Sequence, residues 1–165
     1  MIQELIVPVK GKGLYNITEQ IKTCVANCSL RDGLLTIFIR HTSASLIIQE
    51  NADPAVQEDL NNWMDRLVPE NDPIFTHVQE GPDDMPAHIK SALTLTSVSI
   101  PFVGGSLGLG TWQAVYLWEH RAEMPGVRLD RKLLVRTYLT KLSIFFVFLS
   151  VRRPTSYVRR DPSSC

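Results

Sequence analysis

Four histidines carry most of the chemistry this chain can offer, and each stands beside other polar groups. His41 opens the run Thr42-Ser43-Ala44-Ser45. His77 and His88 enclose Glu80, Asp83 and Asp84 within "THVQEGPDDMPAHIK". His120 lies between Glu119 and Arg121. Imidazole moves protons near neutral pH and is the commonest metal ligand. No histidine pair here has the close spacing of a helical zinc motif, so a metal site has to be assembled from separate elements. The hydroxyls of "HTSAS" lack the glycine-flanked turn of a nucleophile elbow. Ser43 can bind a phosphate or complete a turn. In "ENADP", Asp53 reads as a helix cap, and the Asn51 amide is free to meet a ligand's polar edge. The glycines from Gly104 to Gly110 can in principle cradle a phosphate. No Lys-Ser/Thr pair follows them, and the next pattern is a strand, so a hairpin turn is the better reading.

The elements that must position these groups are legible in outline. Ile2 to Val9 reads as a strand, and Gly11-Lys12-Gly13 as a turn. "YNITEQIKTCVANC" reads as a helix capped by Thr18, with Ile17, Ile21 and Val25 at helical spacing. "LLTIFIRH" is a strand with Leu35, Ile37, Ile39 and His41 on one face. "SLIIQE" is another. Asp53-Pro54 starts a helix whose apolar stripe is Val56, Leu60, Trp63 and Leu67. A short helix from Met85 to about Leu93, capped by Asp84, turns Met85, Ile89 and Leu93 to one side. "TSVSIPF" and "TWQAVYLWEHR" alternate as strands. The second puts Trp112, Ala114, Tyr116, Trp118 and His120 on one face, and Gln113, Val115, Leu117, Glu119 and Arg121 on the other. After a loop over 122–130, "RKLLVRTYL" is the last strand. The pattern predicts one α+β, sheet-rich domain of mostly antiparallel strands with two or three short helices.

The totals narrow the function classes. The 165 residues suit a single domain, and 44% hydrophobic with 21% charged residues is an ordinary globular composition. Net charge is zero. Residues 141–165 hold five bases and one acid, which leaves 12 bases and 16 acids before them. An acidic body with a basic tail does not suit nucleic acid. Cys24, Cys28 and Cys165 form no disulfide framework or four-thiolate zinc set. The opening residues show no basic segment leading into an apolar run. "LSIFFVFLSV" is about half the roughly 20 residues of a membrane helix. These features predict a cytoplasmic protein with neither a nucleic-acid nor a membrane partner.

The blocks "HTSASLIIQENADPAVQEDL", "THVQEGPDDMPAHIKSAL" and "LGLGTWQAVYLWEHR" resemble the signature blocks of the YjbQ-like family, in order and with compatible gaps. Its members are small proteins often called secondary thiamine-phosphate synthases. The resemblance implies a compact trimer whose polar blocks meet in one pocket, within a subunit or at its boundary. By matching motif, His41, His77, Glu80, His88 and His120 would be catalytic. Thr42, Ser43, Ser45, Asn51 and Arg121 would bind substrate. His77, His88, His120, Asp84 and Glu119 would hold a divalent ion, zinc or magnesium. Arg121 would contact a phosphate bidentately.

The activity implied is transfer of a pyrimidine pyrophosphate onto a thiazole phosphate. The alternatives are a metal-dependent hydrolase or lyase acting on a small phosphorylated metabolite, and a homotrimer that only binds such a ligand. Histidines with one carboxylate suit zinc better than magnesium and so favour the hydrolase or lyase. Two departures stand out. Leu95 occupies a region where the family pattern has glycine. Residues 141–165 continue past the family-like domain of residues 1–140 as an atypical tail, apolar and then of disordered composition. Truncation after Leu139 is therefore expected to leave a soluble domain that melts cooperatively. Insoluble material, or a broad melt followed by circular dichroism, would show that the tail is part of the fold.

Overall fold

The computed structural model describes residues 1–122 and 129–139. In chain order the elements are β1 (Ile2–Val9), β2 (Gly13–Asn16), α1 (Thr18–Ala26), β3 (Gly33–Ile39) and β4 (Ala44–Glu50). There follow α2 (Pro54–Leu67), α3 (Asp84–Leu93), β5 (Ser97–Val103), β6 (Ser106–Leu107), β7 (Gln113–Glu119) and β8 (Leu129–Tyr138). All strand pairs among them are antiparallel, in a five-stranded sheet β1-β8-β3-β5-β6 and a three-stranded sheet β2-β7-β4. The domain is α+β, as the sequence predicts. The expected tail over 141–165 lies outside the described residues, as does most of the loop before β8.

One apolar core sits between the sheets and α1. Alternate residues of β3 (Leu35, Ile37, Ile39), β5 (Val98, Ile100, Phe102) and β8 (Leu133, Val135) meet Leu46, Val115 and Leu117 of the smaller sheet. Ile21 and Val25 of α1 complete it. Each such side chain contributes roughly 1.5–3 kcal/mol of burial before entropy is counted. The first two glycines of the run form a hairpin turn, but into the short β6; the run does not join β5 to β7 as one hairpin, because those strands lie in different sheets. Gly104 and Gly105 have φ of 60° and 80°, and Val103 pairs with Ser106. Two successive positive φ values match the right-handed twist of a two-residue hairpin. The short strands β2 and β6 were not predicted, because two to four residues are too few to show alternation.

The helices differ from expectation in instructive ways. Thr18 is the first helical residue of α1, not its cap. Its N–H donates to Asn16 Oδ1 at 3.0 Å, and its hydroxyl accepts from Val115 N–H on β7. Asp53 does cap α2, accepting from Ala55 N–H at 2.9 Å. The face that α2 buries, however, is not the predicted stripe. Trp63 and Leu67 are exposed, while Met64 and Val68 are buried. The reason is the polar tips on β7: Tyr116 Oη accepts from Gln57 at 3.0 Å, and Trp118 Nε1 donates to Asn61 Oδ1 at 2.7 Å. Likewise α3 buries Asp84, Ala87, Lys90 and Ser91, and leaves Met85 and Ile89 half-buried with Leu93 exposed. Ser91 Oγ donates to the Ala44 carbonyl at 3.1 Å. Leu95 bridges Leu46 through its backbone and turns its side chain to solvent, so glycine is not needed there.

β3 lies between β5 and β8, and Gly33 at its start has no room for a side chain. A Cβ there would press on the Tyr138 carbonyl and come within 2.8 Å of the Phe102 ring. Gly33→Ala is expected to lower stability by about 1–3 kcal/mol in urea unfolding, the usual cost of overpacking. An unchanged midpoint would show that the β3–β8 end is looser than this.

Candidate metal centre

Residues 75–78 form no regular element, turns at 79–80 and 82–83 lead into α3, and Gly81 between them has φ of 112°, a conformation that favours glycine. Beyond the bend, Asp84 sits at the first position of α3, and His88 one turn later shares its face. Asp84 Oδ2 lies 2.8 Å from His77 Nε2 and 3.5 Å from His88 Nε2, and the two imidazole centroids are 5.5 Å apart. One ligand atom from each of the three residues falls within 4.8 Å of the others. Among the described residues this is the His/Cys/Asp/Glu group at ligating distance.

The proton positions matter here. His88 Nδ1 is 3.1 Å from the Thr42 carbonyl, which can only accept. A neutral His88 therefore carries its proton on Nδ1 and turns the Nε2 lone pair toward Asp84. A lone pair facing a carboxylate oxygen is repulsive unless a cation, either a proton or a metal ion, sits between them. Asp84 Oδ2 is buried and accepts no hydrogen bond of proper geometry, even from nearby His77. Buried carboxylate oxygens are rarely left this way. A histidine fixed by a backbone carbonyl on its far nitrogen is the usual second layer of a metal site.

Arg121 holds the other half of Asp84. Its Nη1 pairs with Asp84 Oδ1, Nε donates to Asp83 Oδ2 at 2.9 Å, and Nη2 donates to the Glu80 carbonyl at 2.7 Å. Its side chain is 7% exposed. The guanidinium expected on a substrate phosphate is thus engaged in fixing the loop. Burial alone would raise the Asp83 carboxyl. The Ala122 N–H, the Arg121 hydrogen bond and the Arg121 charge together outweigh it and hold the group below the usual range.

Behind this stands a second buried arginine, Arg131, which the sequence reading missed. Its Nε pairs with Glu119 Oε2, and its Nη1 donates to His41 Nε2 at 2.9 Å. Glu119 is fully buried, and its other oxygen accepts the N–H groups of His120 and Arg121. The carboxylate expected to bind metal is therefore occupied within the protein. Because Arg131 can only donate, His41 Nε2 presents its lone pair, while Nδ1 lies 3.1 Å from both the Ser43 N–H and Ser43 Oγ. Burial first, then the Arg131 charge, lowers the His41 pKa against the opposing pull of Glu119. One signal could have found Arg131: it alternates with Leu133 and Val135 on the inward face of β8.

The remaining predicted residues disperse. Thr42 is exposed and joins the centre through its carbonyl, and Ser43 is buried against His41. Glu80 lies at the rim, its carboxylate 69% exposed. Asn51 is at the far end of β4 from Ser43, roughly 25 Å along the strand. Strand alternation sends His120 to the opposite face of β7 from Glu119. There it is buried, its Nε2 2.9 Å from Ser45 Oγ and its ring tilted on Trp118. Lys90, paired with Asp65, lies close by around a cavity of about 20 Å³, room for about one water.

A small antiparallel α+β domain with two partly exposed histidines around a buried aspartate is the class these features define. The family described as UPF0047 protein YjbQ-like matches residues 3–139, and the chain belongs to it. It is 56% identical over 117 residues to UPF0047 protein sll1880 of Synechocystis sp., covering 71% of this chain and 80% of that one. It is 41% identical over 118 residues to UPF0047 protein YjbQ of Escherichia coli O157:H7, covering 71% and 85%. Among solved structures, the conserved hypothetical protein TT1486 from Thermus thermophilus is similar at TM-score 0.72 and 33% identity, covering 82% of this chain and 99% of that one. Among the described residues no helix is long and apolar enough to cross a membrane.

His120 makes a pH-dependent contribution whose sign is fixed. Burial, reinforced by the charges of Lys90 and Lys12 against Asp65, lowers its pKa from 6.5 to about 3. Below pH 6.5 the unfolded chain takes up a proton that the folded one refuses, so stability falls as pH falls toward 3. The slope from one such group is up to about 1.4 kcal/mol per pH unit, and the contribution is full and flat above that window. Urea unfolding at pH 7 and pH 5 should show a loss larger by roughly 2 kcal/mol in the wild type than in His120→Asn. Equal losses would place a charged imidazole at that position.

Proposed function

We propose that this protein is a metal-dependent enzyme of the hydrolase or lyase type, acting on a small phosphorylated metabolite. A zinc-like divalent ion would be held by His77 Nε2, Asp84 Oδ2 and His88 Nε2. The observation that carries this reading is the buried Asp84 Oδ2, which faces two imidazoles without a hydrogen bond. Two imidazoles and a carboxylate are the donor set of catalytic zinc sites, which keep a position open for substrate or water. The side chains of His77 and His88 are 48% and 33% exposed, so that position is reachable. When bound, the ion supplies Lewis acidity, polarising a phosphoryl or carbonyl oxygen.

The chain's own groups divide the remaining work. Arg121 and the Thr42 carbonyl orient the ligands. Both His41 nitrogens are engaged, by Ser43 and Arg131, so His41 holds the 41–43 segment in place. The exposed Glu80 carboxylate, 3.9 Å from Arg121 Nη1, would be the proton acceptor at the rim. The transferase reading requires a cationic clamp on the departing pyrophosphate. With Arg121 committed to the loop the ion itself would have to be that clamp, and two imidazoles with one carboxylate suit zinc-dependent hydrolysis or elimination better. A homotrimer belongs to this reading, and exposed Trp63, Leu67 and Trp112 offer apolar surface for it.

Calorimetric titration of chelator-treated protein with zinc should give one site per chain. His77→Ala and His88→Ala should each weaken it by at least about 10–100-fold, with cooperative unfolding retained. The loaded protein should hydrolyse 4-nitrophenyl phosphate, and chelation should abolish the activity. Absence of zinc binding would remove the metal centre from the reading. Stoichiometric binding with no turnover of phosphorylated probes would leave a ligand-binding protein. Sedimentation of the same sample reads the assembly, and a monomer would exclude the trimer.

A further inference from the structure

A cleft of about 280 Å³ opens directly beside His77, between the segment preceding it and the start of α3. Its size is near the lower edge of small-molecule sites, which run from roughly 300 to 1,000 Å³, and it suits a group of single-ring dimensions. Phe75, Val78, Pro82 and Met85 form its apolar walls, and Asp72 stands at one side. Among the described residues neither lysine nor arginine lines it. Arg121 is buried behind Gly81 and held by Asp83, Asp84 and the Glu80 carbonyl. The walls are set by the backbone. Asn71 turns the chain with φ of 59°, and the Asp72 carboxylate and carbonyl accept from Ile74 N–H and Phe75 N–H, each at 3.0 Å.

We propose that this cleft is a binding subsite for a flat ring that is neutral or cationic, and that it excludes anionic groups. Apolar walls with an aromatic and a thioether suit the faces and edges of a ring. In the metal-free chain a negative charge placed there would lose water, find no lysine or arginine lining the cleft among the described residues, and face Asp72. The ring would be the unreactive part of a substrate whose oxygen-bearing head lies at the His77-Asp84-His88 centre. That last step rests on the metal-centre reading, whereas ring selection by the cleft does not. Any phosphate on such a substrate belongs at the centre, not in the cleft.

The test uses the full chain, freed of metal by chelation, with Met85 followed by its ¹³C-methyl resonance. Benzyl alcohol, benzylamine and benzoate share one ring and differ in charge. The first two are expected to shift Met85 and to bind at least about tenfold tighter than benzoate. Val78 is 61% exposed, so Val78→Lys should fold normally and turn the order in favour of benzoate. Benzoate binding as tightly as benzylamine in the wild type, or a Met85 resonance unmoved by all three, would overturn the proposal. The zinc titration separates the two readings. Rings that bind without zinc affinity would leave the cleft standing and the metal centre refuted, and the converse would do the opposite.

Discussion

The site depends on one buried guanidinium. Arg121 touches two consecutive aspartates and the carbonyl that precedes the Gly81 bend, so a single side chain fixes the register of the loop against the end of β7. Losing one partner from such a buried cluster typically costs about 3–5 kcal/mol, because the remaining charges stay desolvated. The arrangement also decides what Asp84 can do. One carboxylate oxygen is neutralised by arginine, and the other is left to face His77 and His88. The carboxylate stands at the helix start, where the α3 dipole favours negative charge.

A second network ties the opposite wall to the same strand. Glu119 sits one residue before the histidine that faces α2 and two before Arg121. It receives both backbone N–H groups that follow it and holds Arg131 from the larger sheet. Arg131 reaches His41, and the adjacent Thr42 carbonyl fixes the His88 proton. The chain of contacts from β8 through His41 to α3 thus crosses between the sheets at their polar end. The three histidines nearest the centre serve unequal roles: two present open nitrogens, and His41 positions the backbone that orients one of them.

Much of this was legible in the residues. The strand alternation of "LLTIFIRH" and "TWQAVYLWEHR" put Leu35, Ile37 and Ile39, and then Val115 and Leu117, in the core. The Asp53-Pro54 start of α2 and the Gly104-Gly105 hairpin followed from local backbone chemistry. The grouping of His77, Asp84 and His88 followed from the family resemblance, which also included His120 and Glu119. Other features were hidden because they are decided by tertiary partners. His120 was grouped with the other imidazoles by its polar neighbours. Its side of the strand instead places it against Ser45 and Trp118, under α2. Asn51 is separated from the centre by the whole length of β4. Arg131 looked like an ordinary strand cation until the buried Glu119 gave it a partner.

The helix stripes show why periodicity alone misdirects at a functional site. An amphipathic helix normally turns its apolar face inward. α3 instead turns Asp84, Ala87, Lys90 and Ser91 inward, because the surface it meets is polar: the Arg121 guanidinium, the Ala44 carbonyl and the Asp65 carboxylate. That rotation brings His88 over the Thr42 carbonyl. It also leaves Met85 half-buried, where it becomes a wall of the cleft beside His77. With its apolar residues inward, as the sequence pattern alone suggests, the same helix would withdraw Asp84 from Arg121 and close Met85 into the core. One rotation of α3 therefore sets both the Asp84–His88 face beside His77 and the apolar cleft.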